Sequence, residues 1–308
     1  MARWHPSTEV CKRIAENGIK GLRFVIDGKP ECPKEVINNH LKMHGAILCD
    51  NVTKKTDYLI LTAPGDSGTK NAEKAKQYGI STMNELSFNY YIGCKFSDQE
   101  VVTVPDWLKI VADGAFDGCR SMKEVILPET IEEIGAGAFY NCTSLSVIKI
   151  PSSVKRIKWA AFSNCASLRD FEFPHRDDLW IGAGLFMGCK SLQRINLPQS
   201  LDRIHGYFFK GCESLREIII PPNVTEIQTE AFRTCTKLRT VMVPKGVTWI
   251  QTYAFSGCRN LRDIYLPDTV NSIQYDVFRG CPKLTIHAPA GSYAEEYAIK
   301  NGIPVENT

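Results

Sequence analysis

The sequence predicts an α/β domain with a parallel sheet, followed by a β-rich solenoid of about eight 23-residue repeats with a C-terminal capping helix. Three observations predict this fold class. Short apolar segments alternate with helical segments up to residue 93. Eight cysteines from Cys119 to Cys281 then recur every 23 or 24 residues, a period that is typical of solenoids. Near its end, the chain carries the capping residues of a helix.

The first part of the chain alternates between strand and helix patterns, which indicates a parallel sheet covered by helices. The predicted strands are RFVID (23–27), AILC (46–49), DYLIL (57–61) and ISTM (80–83). Predicted helices begin at Pro33 and Thr69, and a last one covers NELSFNYYIG with Asn84 as its cap. A further helix is predicted over STEVCKRIAENG (7–18).

Each repeat follows one pattern after its cysteine. The sixth and eighth residues are apolar and share one face of a strand, so the seventh faces the other way. A proline then ends the strand, because it cannot donate to a ladder of hydrogen bonds. The residue before the cysteine is Gly or Asn in seven of the eight repeats, which predicts a tight turn with positive φ. The repeat after Cys165 is one residue longer, and we expect a bulge or a wider loop there.

The recurring cysteine could serve a metal site, redox chemistry, disulfides or packing. No C-x-x-C pair is available to hold zinc. Disulfides between neighbouring repeats are geometrically conceivable, but a reducing compartment would oppose them. We therefore predict a ladder of buried thiols that pack as small apolar side chains. The ladder consists of Cys119, Cys142, Cys165, Cys189, Cys212, Cys235, Cys258 and Cys281.

The last segment, SYAEEYAIKNG (292–302), predicts the helix that caps the solenoid. Ser292 and Glu295 form a capping box, and Gly302 is placed as the glycine that follows the helix. The predicted boundaries are 1–19 for an N-terminal extension, 20–93 for the α/β domain, 94–100 for a linker, 101–289 for the solenoid and 290–308 for the cap.

The repeat pattern, C-x-x-L-x-x-I-x-[LI]-P…I…A-F-x-[GN]-C, resembles the BspA-like (Treponema-type) leucine-rich repeat family over residues 101–289. This resemblance implies a curved solenoid that binds partners on its sheet face. It implies no catalytic residues.

Residues 20–93 resemble a BRCT domain of the type found at the end of bacterial NAD-dependent DNA ligases. The resemblance is most specific in the segments VTKKTDYLIL and TKNAEKAKQYGI. BRCT domains are binding modules. Members that bind phosphate use a Ser or Thr before a glycine after the first strand, and a lysine at the second helix. The matching positions here are Asp27, Gly28 and Lys70, and the carboxylate at residue 27 would repel a phosphate. The phosphate-binding candidates are Gly28, Lys34, Thr69 and Lys70.

Charge and composition narrow the function classes. The net charge is +3, which by itself argues for neither nucleic acid nor a membrane surface. The chain has no run of 18 apolar residues and no signal peptide pattern, so we expect a cytoplasmic protein.

His40 and His44 are spaced to share a metal, but no third ligand is evident. We find no enzyme motif, and we predict no metal and no cofactor.

The seventh residue after the cysteine is apolar in three consecutive repeats, namely Ile219, Met242 and Tyr265. The fourth residue of the same repeats is arginine: Arg216, Arg239 and Arg262. An exposed apolar stripe beside basic residues is typical of a protein interface. A charged sheet with incidental apolar residues is the alternative.

Together, the two modules predict a non-enzymatic intracellular adaptor that binds a protein partner. One alternative is a factor that binds DNA ends or 5′-phosphates in repair or replication, using basic residues of 1–93 such as Lys34, Lys54, Lys55 and Lys70. A remoter alternative is a cell-surface adhesin. The sequence leaves the partner and the oligomeric state open.

Overall fold

The computed structural model describes residues 19–29, 34–43, 45–62, 69–84, 98–104, 106 and 108–308. The predicted helix over 7–18 and the predicted helix after Asn84 lie outside these residues. Asn84 itself ends a strand.

The N-terminal domain has a four-stranded parallel sheet, as predicted. The strands are β1 (Arg23–Asp27), β2 (Ile47–Leu48), β3 (Tyr58–Leu61) and β4 (Ser81–Asn84), in the order β2-β1-β3-β4. The helices are α1 (Lys34–Met43) and α2 (Lys70–Tyr78). Successive residues of β1 point to opposite faces, so Phe24 packs with Ile37 and Leu41 of α1, whereas Val25 packs with the α2 side. Both faces of the sheet are therefore covered.

The solenoid carries two ladders of parallel strands. The first ladder contains β5 (Val101–Thr103), β7 (Glu124–Ile126), β9 (Val147–Ile148), β11 (Asp170–Glu172), β13 (Arg194–Asn196), β16 (Thr240–Met242), β18 (Asp263–Tyr265) and β20 (Thr285–Ala288). The second ladder contains β6 (Ile110–Val111), β8 (Glu133–Ile134), β10 (Arg156–Ile157), β12 (Trp180–Ile181), β14 (Arg203–Ile204), β15 (Glu226–Ile227), β17 (Trp249–Ile250) and β19 (Ser272–Ile273). Successive ladder strands pair over most of the solenoid.

The longer repeat coincides with breaks in both ladders. Its connection from β11 to β12 spans residues 173–179, one residue more than the connection 127–132 between β7 and β8. The second ladder remains in register up to Trp180, which pairs with Arg156. Both ladders are interrupted near this repeat. In the second ladder β12 does not join the sheet of β14, and in the first ladder β9 does not join the sheet of β11. The extra residue thus gives a wider connection rather than a shifted register.

A column of stacked phenylalanines fills the interior. Phe232, for example, is fully buried, and its ring centroid lies 5.4 Å from that of Phe209 and 5.1 Å from that of Phe255. The central residue of each three-residue first-ladder strand is buried, as in Val241 and Ile264, and its neighbours point outward. The predicted strand phase is therefore confirmed.

Each repeat uses two left-handed residues, of which the sequence pattern predicted only one. The predicted position precedes the cysteine, where Asn164 has φ 61° and Gly257 has φ 76°. The second position lies five residues before the cysteine, where Tyr207 has φ 61° and Asp276 has φ 53°. Asn141, Thr234, Ala160, Glu230 and Tyr253 are further non-glycine residues in this region. These two turns reverse the chain around the buried phenylalanine.

The C-terminal cap is a β–α–β unit. Helix α3 (Tyr293–Lys300) begins after Ser292, whose Oγ accepts a hydrogen bond from the Glu295 backbone N–H at 3.3 Å. Glu295 Oε2 accepts from the Gly291 N–H at 2.6 Å and not from Ser292, so the predicted capping box is displaced by one residue. Gly302 follows the helix with φ 64°, as predicted. Strand β21 (Val305–Asn307), which the sequence did not predict, then pairs in parallel with β20.

Among the described helices, none has the length and apolar character needed to span a bilayer.

Candidate docking surface on the first ladder

Ile219, Met242 and Tyr265 lie side by side on neighbouring repeats and form what we call the apolar row. Met242 is the register partner of Tyr265, and Ile219 forms a parallel bridge with Met242. Their side chains point away from the core, because the residues on either side of each are buried. The side chains of Ile219 and Met242 are strongly exposed, at 77% and 68%. The sequence-predicted stripe is thus continuous in space.

Tyr265 is less exposed than its two neighbours because another ring covers it. Its ring stacks on that of His287, with centroids 4.3 Å apart and an interplanar angle of 12°. His287 is itself buried, and its Nε2 lies 3.0 Å from Asp263 Oδ1 while its Nδ1 lies 3.4 Å from Glu306 Oε2. The apolar row therefore ends in a packed cluster and not in an open ring.

Sequence reasoning missed His287 because the last repeat is one residue short. Counting seven residues from Cys281 leads to Ala288, whereas the register pairs Tyr265 with His287. The missing residue falls before the strand, so every position after it is displaced by one. The proline at 289, also one residue early, is the signal that could have revealed this shift.

The three arginines form a second column, three residues earlier in the same repeats than the apolar row. The backbone N–H of Arg262 donates to the carbonyl of Arg239 at 2.8 Å, and the N–H of Arg239 donates to that of Arg216 at 3.3 Å. All three residues are exposed. Apolar side chains flanked by arginine supply the residue types that concentrate binding energy at protein interfaces.

The cysteine ladder is a packing feature with an added hydrogen bond. Seven of its members are buried, Cys281 is half-buried, and all are free thiols. From Cys142 onward, each Sγ–H donates to the carbonyl of the phenylalanine in the preceding repeat, as Cys235 does to Phe209 at 3.1 Å. Sequence reasoning had not predicted this bond.

Burial also makes the seven fully buried thiols, all but Cys281, unreactive. Desolvation raises the pKa of Cys119 and that of Cys189 to about 12, and it raises the pKa of Cys235 further. The thiolate is the form that binds metals and attacks electrophiles, and these environments disfavour it. Within the described residues, no group of three potential ligands is placed to hold a metal. His44 and the side chain of His40 lie outside that part of the chain.

In the N-terminal domain, three of the four phosphate-binding candidates, Gly28, Thr69 and Lys70, lie around the start of α2. The Thr69 hydroxyl donates to Asp27 Oδ2 and accepts from the Ala72 N–H at 3.1 Å, so it caps the helix. Lys70 is the first residue of α2 and is exposed. Gly28 follows Asp27 with φ 101°. The Asp27 carboxylate therefore lies near the helix N-terminus, where an anion would bind.

Lys34 is placed differently from these residues. It begins α1 and is exposed. α1 packs on the Phe24 face of the sheet and α2 on the Val25 face. Lys34 therefore stands on the opposite side of the sheet layer from Thr69 and Lys70.

Comparison with known proteins identifies both parts of the chain. Residues 84–178 and 180–301 match the family described as BspA type Leucine rich repeat region, which contains six copies of the repeat. Residues 16–85 match the BRCA1 C Terminus (BRCT) domain.

The relatives of the two parts differ. The chain is 40% identical to DNA ligase 1 of Deinococcus deserti over 80 residues, and 37% identical to a DNA ligase of Fervidobacterium nodosum over 82 residues. Each match covers 26% of this chain but only 11% and 12% of the ligases, in their BRCT region.

Among solved structures, a leucine-rich repeat protein from Bacteroides ovatus is similar in fold, with a TM-score of 0.54 and 21% identity. The alignment covers 86% of this chain and 78% of that one.

Proposed function

Because the chain belongs to the family of BspA-type leucine-rich repeat proteins and carries a BRCT domain ahead of the repeats, we propose that it is a non-enzymatic adaptor. The repeats bind a protein partner through the apolar row and its arginine column. The BRCT domain supplies a second binding module. A reducing cytoplasm is the compartment that would keep the cysteine ladder as thiols, and we place the adaptor there.

The apolar row is the observation that supports this proposal. Ile219 and Met242 expose most of their side chains while lying in contact across neighbouring repeats. Contiguous exposed apolar surface has a cost in water unless a partner covers it. Arg216, Arg239 and Arg262, exposed three residues earlier in the same repeats, supply the polar rim of this interface.

Affinity capture from a native lysate tests the proposal. Wild-type protein and a Met242→Glu variant are compared by quantitative mass spectrometry, because a carboxylate in the centre of the row should disrupt an apolar interface. A Tyr275→Ala variant is the control, since Tyr275 is exposed on the second-ladder side. The adaptor proposal requires proteins that the wild type and the control capture and that Met242→Glu loses. Equal capture by all three proteins would reject the row as the docking surface.

DNA-end binding is the second candidate, and the similarity to the BRCT region of DNA ligases favours it. Lys70 at the start of α2 would contact a 5′-phosphate, and Lys54 and Lys55 are exposed in the same domain. The Asp27 carboxylate opposes such binding by like-charge repulsion. Fluorescence anisotropy with a DNA duplex that either carries or lacks a 5′-phosphate distinguishes the DNA-end factor from the adaptor. A preference for the phosphorylated duplex that Lys70→Ala abolishes would favour the DNA-end factor.

Display on the cell surface is a third candidate. Cell fractionation shows whether the protein lies there, and so distinguishes this candidate from the adaptor and from the DNA-end factor.

A further inference from the structure

A basic corner precedes the first ladder in the last four repeats. The segments 213–216, 236–239, 259–262 and 282–284 lead from the cysteines to this ladder. They contain six basic residues and one acidic residue, Glu213, and so carry a net charge of +5. All six basic residues are exposed. We call them the basic corner: Arg216, Lys237, Arg239, Arg259, Arg262 and Lys283.

The basic corner lacks the carboxylates that neutralise basic residues in earlier repeats. Lys123, which holds the position of Arg239 in its own repeat, lies 2.7 Å from Glu100. Lys190 lies 3.6 Å from Glu213, so the one acidic residue of these segments is directed to an earlier repeat. In the part of the chain that the structure describes, no carboxylate oxygen lies within 4.0 Å of a side-chain nitrogen of the six residues. The charge of the basic corner is therefore not balanced by those residues.

Three arginines of the basic corner stand in one column at the spacing of paired strands. The backbone N–H of Arg262 donates to the carbonyl of Arg239, and that of Arg239 donates to the carbonyl of Arg216, so neighbouring arginines are about 5 Å apart at the backbone. Like charges on adjacent strands repel each other. A bound anion would relieve this repulsion, and a guanidinium group suits a carboxylate because it can donate two parallel hydrogen bonds. The column therefore favours an acidic ligand.

The apolar row distinguishes between the kinds of acidic ligand. Met242 follows Arg239 by three residues, which is about 10 Å of extended chain. A single helix is about 10–12 Å across with its side chains, so one segment is wide enough to contact both features. A nucleic acid would supply phosphates but no aliphatic side chains to cover Ile219 and Met242, which are 77% and 68% exposed. The combination favours a protein segment that carries both carboxylates and apolar side chains.

We propose that the basic corner and the apolar row together bind an acidic segment of the partner protein. The carboxylates of this segment pair with the basic corner, and its apolar side chains cover the apolar row. The proposal rests on the proposed adaptor function and specifies the chemistry of the partner. Salt screens exposed ion pairs, so binding should depend on ionic strength as well as on the two surfaces.

Fluorescence anisotropy with the fluorescein-labelled peptide (Glu-Glu-Leu)4 tests this proposal on the full chain. The wild type should bind this peptide, and it should bind the neutral peptide (Gln-Gln-Leu)4 at least about tenfold more weakly. Raising the salt concentration from about 0.05 M to about 0.5 M should weaken binding of the acidic peptide. Arg239→Glu combined with Arg262→Glu should weaken it at least about tenfold, because two attractions become repulsions.

Lys245→Glu combined with Lys300→Glu is the matched control. Both lysines are exposed and lie outside the basic corner, and the control has the same net charge as the arginine variant. It should bind (Glu-Glu-Leu)4 like the wild type. The wild type and both variants should melt alike, because all four substituted residues are exposed.

The proposal is wrong if the wild type does not bind (Glu-Glu-Leu)4, or if the arginine variant binds it as tightly as the wild type does. A labelled DNA duplex that binds where the peptide does not, and that the arginine variant fails to bind, would assign the basic corner to nucleic acid and would equally overturn the proposal. Affinity capture from a lysate separates this proposal from the adaptor function. Loss of captured proteins in Met242→Glu but not in the arginine variant would leave the adaptor function standing and would contradict an acidic partner.

Discussion

The ring of Tyr265 stacks on the ring of His287, 4.3 Å away, and thereby joins the last full repeat to the terminal β–α–β unit. His287 also lies next to Asp263 and Glu306, which belong to the strands on either side of it. The cluster closes the end of the first ladder with a buried polar side chain and not with apolar surface. The end of the apolar row is therefore part of the fold as well as part of the candidate interface.

His287→Ala should lower the free energy of unfolding by about 1–3 kcal/mol, because it removes a buried hydrogen-bonding partner and an aromatic contact. His175→Ala is the matched control, since His175 is exposed, and it should change stability by less than about 0.5 kcal/mol. Urea denaturation followed by circular dichroism measures both. Equal stability of the His287 variant and the wild type would show that the cluster contributes nothing.

The sequence predicted which residues of each first-ladder strand face the core, because this depends only on the alternation of inward and outward residues along a short strand. Val241 and Ile264 alternate with outward residues within one short strand, and the same alternation recurs at a fixed period. Stacking in register then places equivalent residues side by side. The apolar row followed from this periodicity without any knowledge of distant contacts.

The features that could not be predicted depend on contacts between distant residues or on turns without a residue signature. The Thr69 hydroxyl donates to Asp27, which is 42 positions away in the sequence; the resemblance to BRCT domains grouped these positions, but no local pattern indicates the bond itself. Tyr207 and Asp276 adopt positive φ although neither is glycine or asparagine. Glycines occupy the equivalent position at residues 114, 137 and 184, which was the available signal for the second turn.

Phe232→Ala should destabilise the solenoid by about 3–5 kcal/mol, since it removes a fully buried ring that stacks on two others. Ile299→Ala is the control, because Ile299 is exposed on α3, and it should have a small effect. Urea melts of both variants provide the comparison. A midpoint for Phe232→Ala within error of the wild type would contradict the stacked column.

The thiol ladder predicts a loss of stability at alkaline pH. Burial raises the pKa of Cys189 from its ordinary value of 9.0 to about 12. Between these values the unfolded thiol ionises and the folded thiol does not, so the unfolded state binds fewer protons and stability falls as pH rises. One thiol contributes at most about 1.4 kcal/mol per pH unit, and its stabilising effect is complete only below pH 9.

Cys189→Ala removes this dependence. The stability difference between the wild type and the variant should shrink as the pH rises from 8.5 to 10.5, measured by urea denaturation at each pH. The difference between the wild type and Ile299→Ala should stay constant over the same range. A difference for Cys189→Ala that does not change with pH would mean that the thiol is no harder to ionise in the fold than in the unfolded chain.

The most direct test of the adaptor account is the affinity of a captured partner for the Ile219→Ala/Met242→Ala variant, measured by isothermal titration calorimetry. These two side chains are exposed and Tyr265 is retained, so folding should not change and melting curves will verify this. The account predicts that binding weakens by more than about 2 kcal/mol, while the Tyr275→Ala variant binds like the wild type. Unchanged affinity of the Ile219→Ala/Met242→Ala variant would contradict the central claim that partners bind on the first ladder.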